Sequence, residues 1–255
     1  MQDDNWHACA RIVEAGDPER FAAAMAAPVQ ARAVLFPIYA FNVEVSRAPW
    51  VTQEPMIAEM RLQWWRDALA EIEAGGLVRR HEVVTPLAMV LDKASAKQLD
   101  DLVLARRWDI YRDPFEDAAA FHAFLENTGG LLTVAAARAL GAPCDQAAMD
   151  AGYAAGLAAY LQAVPALEAA GRVPLVDGRA EAVADLARTG LERLEKARRA
   201  GVPVKARPAF LSAARAGAVL QLAARDPMAV AEDRLQVSEF KRRFALTKAA
   251  MTGRF

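Results

Sequence analysis

A chain of 255 residues with a formal net charge of −1 has no global basic surface for nucleic acid or an anionic membrane, so any such surface must be local. With 55% hydrophobic residues it can bury a sizeable core, and its length fits one large domain or two small ones. Its two cysteines, Cys9 and Cys144, have neither C-x-x-C nor Cys/His spacing, which argues against a disulfide framework or a zinc site and favours a reducing compartment.

The first five residues are polar and acidic and do not resemble a secretory signal. Alanine, the best helix former, dominates the apolar content, and β-branched runs bounded by turn signals are scarce, so the expected class is all-α. Asp17-Pro18 and Asp113-Pro114 read as helix starts, a cap followed by a proline suited to the first helical position, and Ser95 to Gln98 reads as a capping box. Stops fall at Gly75-Gly76, Gly141-Ala142-Pro143, Gly171, Gly201-Val202-Pro203 and Asp226-Pro227. The helices predicted in chain order are 18–26, 29–47, 55–74, 84–94, 96–109, 115–139, 145–168, 179–200, 207–224 and 236–252. Their gaps are short and no low-complexity linker intervenes, so residues 1–255 are expected to form one helical domain; without a fixed-period repeat, an α-solenoid is the lesser alternative. The apolar run 151–167 falls short of the ~20 residues needed to span a bilayer and is interrupted by Gly156 and Pro165.

Few constellations carry chemistry. His7, His81 and His122 are dispersed without a ligand partner at helical spacing and read as surface or satisfied side chains. No phosphate-cradling, dinucleotide or nucleophile-elbow motif occurs. Asp100-Asp101 reads as a solvated helix face, and the stretch around Arg193 as a charged helix end. The segment 240–248 mixes Phe240, Phe244 and Leu246 with Lys241, Arg242, Arg243 and Lys248; such a helix packs on a bundle or lies on a membrane or partner.

The most informative stretch is 39–50, Tyr39-Ala40-Phe41-Asn42-Val43-Glu44 followed by Val45-Ser46-Arg47-Ala48-Pro49-Trp50. It resembles the first motif of the squalene/phytoene synthase family, approximately Y-A-F-C-R-x-x-D-D-x-x-D. In that alignment the family's arginine falls on Val43 and its acids on Ser46, Arg47 and Trp50. Carboxylates three and four positions apart share one helix face and can hold Mg²⁺ against a diphosphate leaving group. None of the three remains, and Glu44 alone makes a poor Mg²⁺ site.

The resemblance continues on both sides. Arg20-Phe21, Pro28, Arg32 and Leu35 precede the motif as in the family, and Met60 to Leu69 is similar to its tryptophan-bearing helix; read as a core helix, Met60, Trp64 and Leu69 would face inward. Leu125-Glu126-Asn127-Thr128-Gly129-Gly130 stands where the family has a small-residue run in mid-helix. There the adjacent glycines permit close packing or leave room for a ligand, with Glu126 and Asn127 beside a cavity. The second family motif, near Q-L-T-N-I-L-R-D-V, falls on 159–167. Its asparagine matches Gln162, while its arginine and first aspartate match Pro165 and Ala166. Gly171-Arg172-Val173-Pro174-Leu175 follows in place of G-R-x-Y-L-P.

The resemblance implies a helical bundle of the isoprenoid synthase type. It is closest to the family's non-catalytic branch, which includes a mitochondrial complex I assembly factor. That implies a protein assisting respiratory complex I biogenesis through a complex I subunit or assembly intermediate, or through an isoprenoid or lipid ligand. It would be cytoplasmic, peripheral on the inner face of the inner membrane, without nucleic acid. Tyr39, Phe41, Glu44, Arg47, Trp65, Asn127 and Gln162 are the candidates for a remnant pocket, with no catalytic residue, metal or cofactor. The alternatives are a Mg²⁺-dependent head-to-head prenyltransferase, which needs the missing acids, and an isoprenoid carrier.

Overall fold

A computed structural model describes residues 2–255, with side chains from residue 5 onward. Met1 and the side chains of residues 2–4, part of the polar N-terminal stretch, lie outside the described residues. Among the described residues there are helices and no strands. They are α1 (Gln2–Gly16), α2 (Pro18–Ala26), α3 (Val29–Arg47), α4 (Pro55–Ala74), α5 (Val84–Val90), α6 (Lys93–Ala105), α7 (Ala118–Leu125), α8 (Leu131–Ala139), α9 (Asp145–Ala169) and α10 (Ala180–Arg199). The short α11 (Arg207–Phe210), α12 (Ala216–Arg225), α13 (Met228–Ala231) and α14 (Glu239–Thr252) complete the chain. A 3₁₀ turn, Arg106–Asp109, follows α6, and a π-helical turn, Glu126–Gly130, joins α7 to α8.

Two helices form the centre. In α3 every residue from Leu35 to Val43 is buried, and α9 is buried on nearly all sides between Ala147 and Val164, as expected of helices apolar around their whole circumference. α9 packs on α8, α10, α12 and the π turn, while α3 packs on α1, α5 and α8. α4 lies against α6 and buries Ala58, Leu62, Trp65, Leu69 and Ile72, one stripe at helical spacing. Met60, expected inside, is 66% exposed because it lies off that stripe.

Local chemistry explains several boundaries. Asp17 caps α2 by accepting from the Arg20 N–H at 2.9 Å, with Pro18 behind it. α3 runs from Pro28 to the turn at Ala48-Pro49, and α4 stops at Gly75, whose φ of +74° suits a residue without Cβ.

Elsewhere the structure corrects the expectation. The cap of α6 is Asp92, which accepts from Ser95 N at 2.6 Å; Ser95 is buried inside the helix, so no capping box forms there. Asp117, not Asp113, caps α7, because Phe115 is drawn into the core and stacks on Trp108 at 4.4 Å, pulling 113–116 out of helical geometry. The expected helix 207–224 is broken into α11, a 3₁₀ turn and α12 around the buried Phe210 and Leu211. α1 was not among the predicted helices, although Cys9 and Val13 lie four apart on its buried side.

Candidate functional site

The facing sides of α3 and α9 enclose the site. On α3, Asn42 and Ser46 are one turn apart and Trp50 follows beyond the helix; on α9, Gly156, Ala159, Tyr160, Ala163 and Leu167 form a stripe at helical spacing. With Phe124, Leu125, Thr128 and Gly129 they line a cavity of about 270 Å³. That is just under the ~300–1,000 Å³ usual for small-molecule sites.

Glycine makes the close approach of the π turn to α9 possible. A Cβ on Gly129 would lie 2.4 Å from the carbonyl oxygen of Gly152, and one on Gly152 would lie 2.3 Å from that of Gly129. The mid-helix glycines thus serve close packing, and Gly129 and Gly156 also border the cavity. The π turn here is a geometry often found at functional sites.

The polar groups of the cavity are largely committed to protein partners. Ser46 Oγ donates to Val43 O at 3.0 Å, back onto its own helix. Tyr160 Oη donates to Pro174 O at 2.7 Å, and burial pushes its phenol well above the ordinary value. Arg106 Nη1 donates to Asp109 Oδ2 at 3.2 Å, leaving the buried Arg106 Nε without a partner. Asp109 is only 5% exposed, and burial raises its carboxyl above the ordinary carboxylate range despite the opposing pull of Arg106 and Arg172.

Trp50 separates this cavity from an outer cleft of about 560 Å³, whose wall it shares. Its ring is held by Arg172, whose guanidinium lies 4.7 Å from Trp50 and 5.3 Å from Trp108. Arg172 also donates to the carbonyls of Trp108 at 3.2 Å and Tyr111 at 2.8 Å, and to that of Asp109.

The residues selected from sequence are only partly brought together. Glu44, Arg47 and Trp65 line a shallow pocket of about 300 Å³ with Arg61, Trp64 and His81, and Arg47 pairs with Glu44 at 3.4 Å. Phe41 meets Trp65 edge-on at 5.5 Å behind it. Tyr39 is buried beneath Arg20, 5.9 Å from the guanidinium. Gln162 donates to Leu235 O at 2.9 Å and does not line the central cavity. Asn127 is half-buried beside the wall-forming Thr128 but is not itself part of the wall. Glu126 pairs with Arg193. Arg193, expected at an ordinary charged helix end, instead joins Glu126 to the fully buried Asp150, which it meets at 2.8 Å. Asp100, expected on a solvated face, holds Arg66 of α4 with oxygens at 2.7 and 3.0 Å. The histidine reading is supported at two positions: His122 Nδ1 lies 2.6 Å from Tyr153 Oη, and His81 Nδ1 accepts from Val83 N at 3.1 Å.

Asn42, Arg106, Asp109 and Tyr160 line the cavity but were not selected from sequence. The signal for Asn42 was its position one turn before Ser46; Arg106 and Asp109 gave none, because the 3₁₀ turn reaches the site only through the packing of Trp108. The donor set does not suit Mg²⁺: Asp109 is the one carboxylate on the wall and already faces Arg106, and the described residues contain no group of three or more acids, histidines or cysteines placed to hold a metal.

Residues 13–177 match the family model described as squalene/phytoene synthase. The chain belongs to the squalene/phytoene synthase family. Its fold is that of a dehydrosqualene synthase crystallised with a ligand, at TM-score 0.79 and 15% identity over 99% of this chain and 97% of that one. A squalene synthase from Alicyclobacillus acidocaldarius aligns at TM-score 0.70 and 16% identity, covering 89% and 95% of the two chains. Among curated proteins, a Drosophila melanogaster complex I assembly factor 6 homolog is 31% identical over 168 residues, covering 62% of this chain and 50% of the relative. The Homo sapiens complex I assembly factor 6 is 26% identical over 174 residues, covering 62% and 49%. The chain spans about half the length of the curated relatives it matches. No helix among the described residues of this family member is long and apolar enough to cross a membrane.

Proposed function

We propose that this member of the squalene/phytoene synthase family is non-catalytic and, as one helical domain, assists the biogenesis of respiratory complex I by binding a partner protein or a lipid-like ligand. The observation that carries the reading is the state of the positions that match the family's acids. Where the family places metal-binding acids, Ser46 bonds to its own helix, Arg47 pairs outward with Glu44, Trp50 is clamped by Arg172, and Ala166 is exposed outside the cavity. A fold hosts chemistry only through its site residues, and those that would hold Mg²⁺ and release a diphosphate are missing. The names of the curated relatives support the assembly role. Peripheral attachment to the inner face of the inner membrane belongs to the same reading.

Deleting the gene and measuring assembled, NADH-oxidising complex I tests the role; a loss restored by the wild-type chain is expected, and normal assembly would remove it. Incubation with farnesyl or geranylgeranyl diphosphate and Mg²⁺ is expected to give no turnover, and formation of presqualene or prephytoene diphosphate would overturn the non-catalytic reading. A second reading, an isoprenoid carrier, is favoured by the cavity itself, which Phe124, Leu125, Tyr160 and Leu167 line with apolar surface. Lipid analysis of gently purified protein tests it, with a short-chain or single-chain ligand expected from the small volume.

A further inference from the structure

Helix α14 turns an apolar stripe away from the protein. Phe240, Phe244 and Met251 share one face at helical spacing and are 79%, 62% and 82% exposed. The opposite face does the docking: Arg242 pairs with Glu19 of α2 at 2.6 Å, and Ala249 is buried. Lys241 and Lys248 flank the stripe on one side. Arg243 flanks it on the other, sharing its charge with Glu239.

On the Lys248 side the stripe borders a cleft of about 750 Å³ between the end of α10, the 201–207 segment and α14. Arg198, Arg207, Lys248 and Arg254 line it, and no acidic side chain does. Arg198 is committed to Glu195 at 2.6 Å and to the main-chain oxygen of Phe255 at 2.5 Å. Arg207, Lys248 and Arg254 line the cleft without an ion pair to an aspartate or glutamate side chain among the described residues, and Arg207 is half-buried. Cations gathered around one cleft repel one another, so the cleft favours an anionic occupant.

We propose that this surface docks on an anionic phospholipid membrane, with a headgroup phosphate in the cleft and Phe240, Phe244 and Met251 entering the headgroup boundary. The proposal deepens the attachment reading above and rests on it for the kind of surface, but it depends on neither the complex I role nor the absence of catalysis. Charge complementarity selects the occupant: an apolar stripe rimmed by cations is the pattern of a helix lying in a negatively charged interface. An anionic bilayer supplies phosphate along the whole rim.

The test is co-sedimentation of the full chain with phosphatidylcholine vesicles, with and without added phosphatidylglycerol. Binding is expected only with phosphatidylglycerol and should weaken with salt. The pair Arg207→Gln and Lys248→Gln is expected to lower partitioning about thirty-fold. Phe240→Ser with Phe244→Ser is expected to lower it at least tenfold, about what loss of two partly inserted side chains predicts. Circular dichroism should be unchanged in both. Equal binding to the two vesicle types, no binding to either, or variants that bind like the wild type would overturn the proposal. So would stabilisation by inorganic phosphate, abolished in Arg207→Gln, without vesicle binding; that would assign the cleft to free phosphate. Complex I assembly measured in the same variants separates failure of the docking surface from failure of the proposed biological role.

Discussion

Arg172 lies over the ring of Trp50 at 4.7 Å, joining the residue at the last acid position of the family's first motif to the loop that follows the second. The same guanidinium donates to carbonyls of Trp108, Asp109 and Tyr111. The ends of α3, α6 and α9 are therefore fastened by one planar cation.

Replacing that cation tests its geometry. Arg172→Lys keeps the charge but supplies neither the fork for several carbonyls nor a plane for two tryptophans. The expected loss is about 2–4 kcal/mol, from charge-assisted hydrogen bonds left unmade and carbonyls left unpaired. Urea unfolding followed by circular dichroism measures it. A lysine variant within ~0.5 kcal/mol of wild type, as for an ordinary surface change, would show that the clamp is not structural.

The contact of α9 with the π turn should tolerate no added atom. In Gly129→Ala the new Cβ meets the backbone oxygen of Gly152, which cannot rotate away, and an overpacking loss of about 1–3 kcal/mol is expected. Gly178→Ala is the control: nothing lies within 4 Å of its Cβ and its φ is not positive, so a change within ~0.5 kcal/mol is expected. Thermal melts of the two variants should separate accordingly.

Asp109 gives a pH dependence of defined sign. Burial raises its carboxyl in the folded protein, so between the ordinary aspartate value and the raised one the folded state holds the proton more tightly than the unfolded chain. Stability from this residue therefore falls as pH rises through that window. Asp109→Asn removes the titration, so its stability relative to wild type should be greatest above the raised value and should decline as pH falls toward about 3.9. Parallel denaturant titrations across this range measure the difference, and one that does not change with pH would show that Asp109 titrates normally.

The buried carboxylate of Asp150 depends on Arg193. Lys196 approaches it at 3.4 Å but is 63% exposed, and Gln146 Nε2 donates to it at 3.2 Å without carrying charge, so Arg193→Met leaves a buried carboxylate with only a weak counter-charge. A loss of about 3 kcal/mol is expected. Adding Asp150→Asn should restore part of it, since removing both charges also removes the unpaired one. A double-mutant cycle in urea checks this, and purely additive effects would rule out the coupling.

The extent to which the chain could be read in advance follows the range of the interactions involved. α2, α3 and α4 match their predicted limits because their ends are set by Asp17-Pro18, Pro28, Pro49, Pro55 and Gly75, which act on their own backbone. α6 and α7 begin elsewhere because each segment offers two acceptable caps, and burial of Ser95 and Phe115 decides between them. At the site, the lost acids at Ser46 and Trp50 were legible by position. Tyr39, Gln162 and Asn127 could not be placed, because a motif fixes where a residue stands on its helix but not which neighbour its side chain meets.

The sequence by itself determined that this is an all-helical member of the squalene/phytoene synthase family and that the first motif lacks its acids, since helix periodicity, caps and residue identity are local properties. Only the tertiary structure decided how the vacated positions are used. Trp50 is clamped by an arginine 122 positions later, Arg106 and Asp109 meet in the cavity wall, and α14 faces its phenylalanines outward. Those outcomes depend on contacts between segments distant in the chain, where burial, charge pairing and steric fit select one arrangement among many that the local pattern allows.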